Sequence, residues 1–435
     1  MEDLKLIASR VKEALLKAGA KKAQYTIIQR ETHEFNVDGG EFSLFRTLFD
    51  NALTMTALVD DKKGEISINK FDEKAVAAAA ENCIKSAESG IADPAYDIAP
   101  KQEAKVFHDG AYQPDIDLFF ERAKELMAHI KERHPKILME QMIVQHKNRH
   151  ELYQNTNGSE FERFMGYYNI SLMFSAHEGE KTTSFFSSGV QTTSLDKPFI
   201  ELGNLEKDLA DAEASITTVP SEGKFEGVMV LTPASLYDFL HSIMDNFLSN
   251  NVILEKTSIW LDKLGKQVAD SRITISAKPW DNRIVCGERY TSDGFLSENY
   301  DIIKDGVLQS FLLNLYTSNK TGYERAKTSN IDLVIEGGDT AYHEIIKGIK
   351  KGIIVGRFSG GQPSNNGDFS GVAKNSFLVE NGKITGAVSE TMINGNLAEM
   401  LNHLVAISNE TVADGICVLP YIAFDQIVIS GKQAE

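Results

Sequence analysis

The sequence predicts an α+β protein: helix-on-antiparallel-sheet layers in the N-terminal part, then a large C-terminal domain that is sheet-rich and mostly antiparallel. Three observations lead there. Amphipathic helical stretches stand singly between runs of period-two alternation. Short polar or glycine-bearing turns join those runs, as hairpins require. No repeated strand–helix–strand pattern of a doubly wound fold occurs. A chain of 435 residues also exceeds one ordinary core, which predicts two or three domains.

Leu4, Ile7, Val11, Ala14, Leu15 and Ala18 recur at helical spacing, and Gly19 marks the end of that helix. Alternating stretches follow at 25–29 and 34–45, with Gly39-Gly40 placed to turn a hairpin. Two more, 52–58 and 65–69, flank the polar turn 60–64. Residues 72–89 form an alanine-rich helix capped by Asp72, and 90–102, with Pro94 and Pro100, reads as a linker. A helix over 114–133 has Pro114 in its first turn and ends at His134-Pro135. Strands fill 137–190, with turns near 155–159 and 178–181, and a helix covers 205–216. A polar boundary at 219–224 leads to a strand (227–231), a helix (233–248) and further strands. Among these, Asn381-Gly382 between alternating runs predicts a type I′ hairpin. The resulting domains are 1–100, 101–222 and 223–435.

Composition excludes some functions. The formal charge of −17 and the lack of a Lys/Arg cluster with interleaved aromatics argue against direct nucleic-acid binding, which needs a basic face for phosphate. Cys83, Cys286 and Cys417 are too few and too far apart for a disulfide framework. The N-terminus lacks signal-peptide character, and no apolar run approaches a membrane span. A cytoplasmic location is therefore expected, with no membrane partner. No G-x-S-x-G elbow or G-x-G-x-x-G loop occurs.

Nine of the 32 glycines fall between 337 and 371. There a helix-like piece (342–351) separates two glycine-rich turns, and an alternating run (369–378) follows. Glycine serves positive φ or close approach, so the segment is either a built surface or a pair of tight turns. The pieces G-R-F-S-G-G-Q (356–362), G-D-F-S-G (367–371) and L-V-E-N-G-K-I-T-G (378–386), with S-E-N-Y-D-I-I-K-D-G-V-L-Q-S-F-L-L-N-L-Y-T-S (297–318), resemble the TldD/PmbA family, also called the modulator of DNA gyrase family. The resemblance covers most of the chain and is strongest over 225–431.

The resemblance implies where zinc chemistry should be sought. The zinc-bearing TldD subunit carries H-E-x-x-x-H on a helix, where two imidazoles hold the metal and Glu activates water, with a further cysteine ligand near the C-terminus. Aligned on Thr257-Ser258 and on 261–266, this chain places His241 on the first histidine, Ser242 on the glutamate, Asn246 on the second histidine and Cys417 on the cysteine. It reads H-S-I-M-D-N, lacking the base and the second imidazole. The pattern is that of the partner subunit, TldE or PmbA. The expectation is therefore a chain without metal or catalytic residues of its own, acting on peptides or unfolded segments beside a TldD-type zinc peptidase subunit, with a homodimer as the other assembly. Strand addition would put Gly360, Gly361, Gln362, Asp368 and Gly371 at a peptide channel or subunit interface; otherwise they only shape turns. Two rivals remain. One is a stand-alone metal-dependent peptidase using His241, Cys417 and Asp245. The other is a non-proteolytic regulatory binding protein.

Two further histidine patterns lead away from metal. His343-Glu344 has Lys347 where a second ligand would stand, and His343 is expected to be solvated. His146 and His150 are expected on a strand, about 13 Å apart, as surface histidines.

Overall fold

The computed structural model describes residues 3–221, 223–389 and 391–431. The fold is α+β, with two sheets. The first has eight strands in the order Lys62–Ile68, Glu41–Val59, Lys22–Asp38, Ile137–Asn155, Glu160–Glu178 and Lys105–Gly110, with Lys181–Thr182 and Phe186–Thr192 also paired to Glu160–Glu178. Its four long strands have 17 to 19 residues, roughly 60 Å of extended chain.

On strand Lys22–Asp38 the alternate residues Ala23, Tyr25, Ile27, Phe35 and Val37 are buried on one face. The helices Leu4–Ala18 and Glu73–Ser89 cover one end of that face; Ile116–Arg133 and Leu205–Ala214 cover the other. Between them the same face carries a polar seam: Glu31 lies opposite Asn148, and His33 opposite His146. This seam is why the sequence suggests two stretches at 25–29 and 34–45 where one continuous strand runs. Strands Lys22–Asp38 and Ile137–Asn155 are direct neighbours along 15 paired positions, so residues 1–100 and 101–222 build a single sheet.

Local signals decide several ends. Gly19 adopts φ +111 after the first helix, Asp72 accepts from Ala75 N, and Asn381 and Gly382 both take positive φ in their hairpin. Asp115, not Pro114, caps the helix Ile116–Arg133 by accepting from Leu118 N, which leaves Pro114 outside it. The helix expected at 342–351 is Tyr342–Gly348; Lys351 already pairs with Glu380 as a strand. The alternating run 369–378 breaks at Asn375 (φ 52) into Asp368–Lys374 and Ser376–Glu380, which pair with different neighbours.

The second sheet is large and mixed, and most of its pairings are antiparallel. Its central strands are Val418–Ser430, Lys224–Leu231 and Lys351–Val355, the last two parallel. The helix Pro233–Phe247 lies in the connection between those two, and its apolar face enters the main core. A branch, Arg357–Gly360 to Asp368–Lys374 to Thr391–Asn396, also joins Val418–Ser430.

The two sheets meet through Tyr153 and Phe161 packed on Tyr290 and Leu296, and through buried ion pairs. Asp109 accepts from Arg163 Nε at 2.7 Å and from Arg289 Nη2 at 2.7 Å.

Candidate functional site

The helix Pro233–Phe247 starts where Thr232 accepts from Ser235 N, with proline in its first turn. Leu236, Phe239, Leu240, Ile243, Met244 and Phe247 face the core. Tyr237 and His241 are one turn apart, their rings 4.3 Å apart. The Nε2 atom of His241 is buried and has no hydrogen-bond partner. Ser242 Oγ donates to Asp238 O at 3.0 Å, and Asn246 Nδ2 donates to Ser242 O at 2.9 Å. Both side chains are thus turned onto the backbone of their own helix, a local bond that short polar side chains form readily. Asp245 is exposed, and a helix turns it about 100° from Asn246.

Cys417 precedes the strand Val418–Ser430. Asp414 Oδ1 accepts from Ile416 N and Cys417 N, each at 2.8 Å, around Gly415 at φ +86. Cys417 Sγ lies 3.7 Å from Asp414 Oδ2. Burial first, then the Asp414 charge, pushes the thiol well above its ordinary range, so it is a protonated donor. The Tyr237 hydroxyl is raised by burial first and then by the nearby Cys417 and Asp414.

These residues do not fit a zinc ion. The His241 nitrogen is orphaned, and among the described residues no His/Cys/Asp/Glu trio with converging ligand atoms includes it. Among the described residues, the His/Cys/Asp/Glu trio whose ligand atoms all lie within 4.8 Å is His129, His134 and Glu206, elsewhere in the fold.

The glycine-rich segment packs against the same helix. Gly360 pairs with Gly371 across two strands, and a Cβ on Gly371 would stand 2.5 Å from Phe358 Cζ. The Phe358 ring fills that slot and meets Phe239 at 5.3 Å and Phe369 at 5.8 Å, both T-shaped. Gly361 and Gln362 are exposed, and nothing lies within 4 Å of a Cβ at Gly361. Asp368 accepts from Asn396 Nδ2 and Asn366 Nδ2, each at 2.9 Å, bonds that hold it below the usual carboxylate range.

Known proteins resemble this chain in sequence and fold. Residues 226–431 match the model of the PmbA/TldA metallopeptidase C-terminal domain. The metalloprotease PmbA of Escherichia coli O157:H7 is 26% identical over 440 residues, spanning 93% of this chain and 92% of its own. The C-terminal part thus carries the TldD/PmbA family's domain, and the full chain resembles its members. Two solved structures share the fold end to end. A candidate modulator of DNA gyrase from Bacteroides thetaiotaomicron superposes with a TM-score of 0.87 at 23% identity, covering 99% of this chain and 100% of that one. TldE from Thermococcus kodakarensis gives 0.84 at 18%, covering 98% and 100%.

Within this chain, the expected residues divide in space. His241, Ser242 and Asn246 share the helix, Cys417 sits in the turn before the strand Val418–Ser430, and Gly360 and Gly371 hold the ring beneath Phe239. Sequence reasoning passed over Tyr237, although its four-residue spacing from His241 was there to be read. It also passed over a cavity of about 880 Å³ between the two sheets, lined by Lys181, Thr183, Val372, Lys374, Ser376 and Met392. None of the expected site residues lines it, and its walls come from segments nearly 200 residues apart. His146 corrects another expectation: it is fully buried, with Nε2 2.7 Å from the Ala111 carbonyl, because its strand faces the covered seam. His150 is half-buried beside Glu162. His343 is exposed and pairs with Glu344. Among the described residues, no helix is long and apolar enough to cross a membrane.

Proposed function

We propose that this chain is the non-catalytic TldE/PmbA-type subunit of a cytoplasmic metalloprotease complex, in which a TldD-type partner supplies the zinc and cleaves peptides or unfolded segments. The observation that carries the reading is the chemistry of the helix Pro233–Phe247. Where a peptidase needs a general base and a second imidazole, Ser242 and Asn246 spend their side chains on helix carbonyls. A serine hydroxyl cannot activate water near neutral pH, and one imidazole with one thiol does not make a three-ligand catalytic site.

A subunit role is also supported by the hairpin Lys22–Asp38/Glu41–Val59. Among the described residues, its outer strand gains a second neighbour only from Leu53 onward. Upstream, Phe42, Leu44, Phe45, Leu48 and Phe49 are exposed. The register sets Phe42, Phe45 and Phe49 on one face and Leu44 and Leu48 on the other, and exposed apolar surface of this kind is suited to an interaction site.

The test is peptidase activity on an unfolded polypeptide, measured for the chain alone and co-purified with an H-E-x-x-x-H homologue from its host. Activity confined to the complex is expected. Cleavage by the isolated chain, abolished by His241→Ala, would refute the reading.

A further inference from the structure

A different set of residues has the geometry that the His241 helix lacks. At the C-terminal end of helix Ile116–Arg133, His129 Nε2 lies 2.9 Å from Glu206 Oε2 and His134 Nε2 lies 3.3 Å from Glu206 Oε1. Glu206 stands in the first turn of helix Leu205–Ala214. Behind His134, Glu213 Oε2 lies 3.1 Å from Nδ1, and Glu213 Oε1 accepts from Lys136 N at 3.2 Å. The His134 side chain is 6% exposed and that of Glu206 55%.

We propose that His129, His134 and Glu206 form a binding site for a divalent transition-metal ion of the zinc class. The chemistry of His134 is the first argument. Both of its ring nitrogens face carboxylates in a buried position, yet a neutral imidazole carries one N–H. With Nδ1–H donating to Glu213, Nε2 is left as a lone pair aimed at Glu206, and a cation between them satisfies both. A carboxylate behind a ligating histidine is also how metal sites fix ring orientation and raise ligand basicity.

Spacing is the second argument. Zinc–nitrogen and zinc–oxygen bonds of about 2.0–2.2 Å in a tetrahedron separate ligand atoms by roughly 3.4 Å, and the three ligand atoms here lie within 4.8 Å of one another. Two imidazoles select zinc, nickel or copper over magnesium or calcium, which take oxygen ligands.

The exposed side of the trio leaves a coordination position to water. No expected catalytic residue adjoins it, so the bound ion acts as a clamp between two helices that share one core through Leu126, Ile130, Leu205 and Leu209. The site is independent of the proposed subunit role, and it predicts zinc in the isolated chain without peptidase activity.

The experiment is zinc titration of chelator-treated, full-length protein, with cobalt(II) absorption as a second readout. Wild type, His241→Ala and Cys417→Ser should each bind about one zinc ion per chain. Binding should weaken at least tenfold in the surface variants His129→Ala and Glu206→Gln, and about 10–100-fold in Glu213→Gln. The cobalt spectrum should lack a thiolate charge-transfer band. Failure of wild type to bind zinc, or binding indifferent to His129→Ala, overturns the site. Zinc lost in Cys417→Ser, with a thiolate band, places the metal at the family's cysteine position. That result sinks this proposal, and peptidase activity in the same sample would separately sink the subunit reading.

Discussion

Gly371→Ala separates the two meanings of the glycine-rich segment. The new Cβ would meet Phe358 Cζ at 2.5 Å, Phe358 Cε2 at 2.6 Å and Gly360 Cα at 2.7 Å. Ordinary carbon contacts lie at about 3.5–4 Å, so the ring must retreat by roughly 1 Å. Phe239 and Phe369 stand edge-on to it at 5.3 and 5.8 Å, and the third clash is with backbone. Overpacking of this kind costs about 1–3 kcal/mol. Alanine in place of glycine returns about 0.4–1 kcal/mol by restricting the unfolded chain. The net expectation is a loss of roughly 1–2 kcal/mol, read as a lower urea midpoint. Gly361→Ala, with open space around it, should stay within about 0.5 kcal/mol. Adding Phe358→Leu to Gly371→Ala should recover part of the loss, because touching residues couple. Unchanged stability in Gly371→Ala, together with lost peptide cleavage by the complex, would refute the packing argument and assign this glycine to substrate.

Two other substitutions probe how the sheets are held together. Asp109→Ala leaves Arg163 and Arg289 buried without their shared carboxylate and should cost about 3–5 kcal/mol; a loss below about 1 kcal/mol in urea unfolding would mean the pairs contribute little. Glu288 is raised by burial from its ordinary 4.5 to about 7, against the donors Ser297 Oγ, Ser329 N and Asn330 N. The folded carboxyl keeps its proton where the unfolded one has lost it, so stability should fall as pH rises from 4.5 through about 7, by about 3 kcal/mol in all. Glu288→Gln should flatten that slope in urea midpoints taken on either side of the window, and an unchanged slope would assign it to other groups.

Much of the architecture was legible because its signals are local. The Asp72 cap, the Gly19 end and the Asn381-Gly382 turn depend on residues a few positions apart, and the amphipathic helices follow from spacing alone. The family resemblance also rests on linear order, which located the helix bearing His241 and the cysteine turn. Length was harder to read. The strands Lys22–Asp38 and Glu41–Val59 pass through stretches whose side chains face a polar seam or are exposed, so alternation fades although backbone pairing continues.

The sequence by itself determined the α+β class and most helix ends, since these follow from spacing and local side-chain chemistry. Only the tertiary structure decided which distant groups meet. Phe358 meets Phe239, and His134 is set between Glu206 and Glu213. Those encounters depend on strand register and helix packing across separations of about 70 to 120 residues. No local propensity records such distances, and burial acts on whatever the packing brings together.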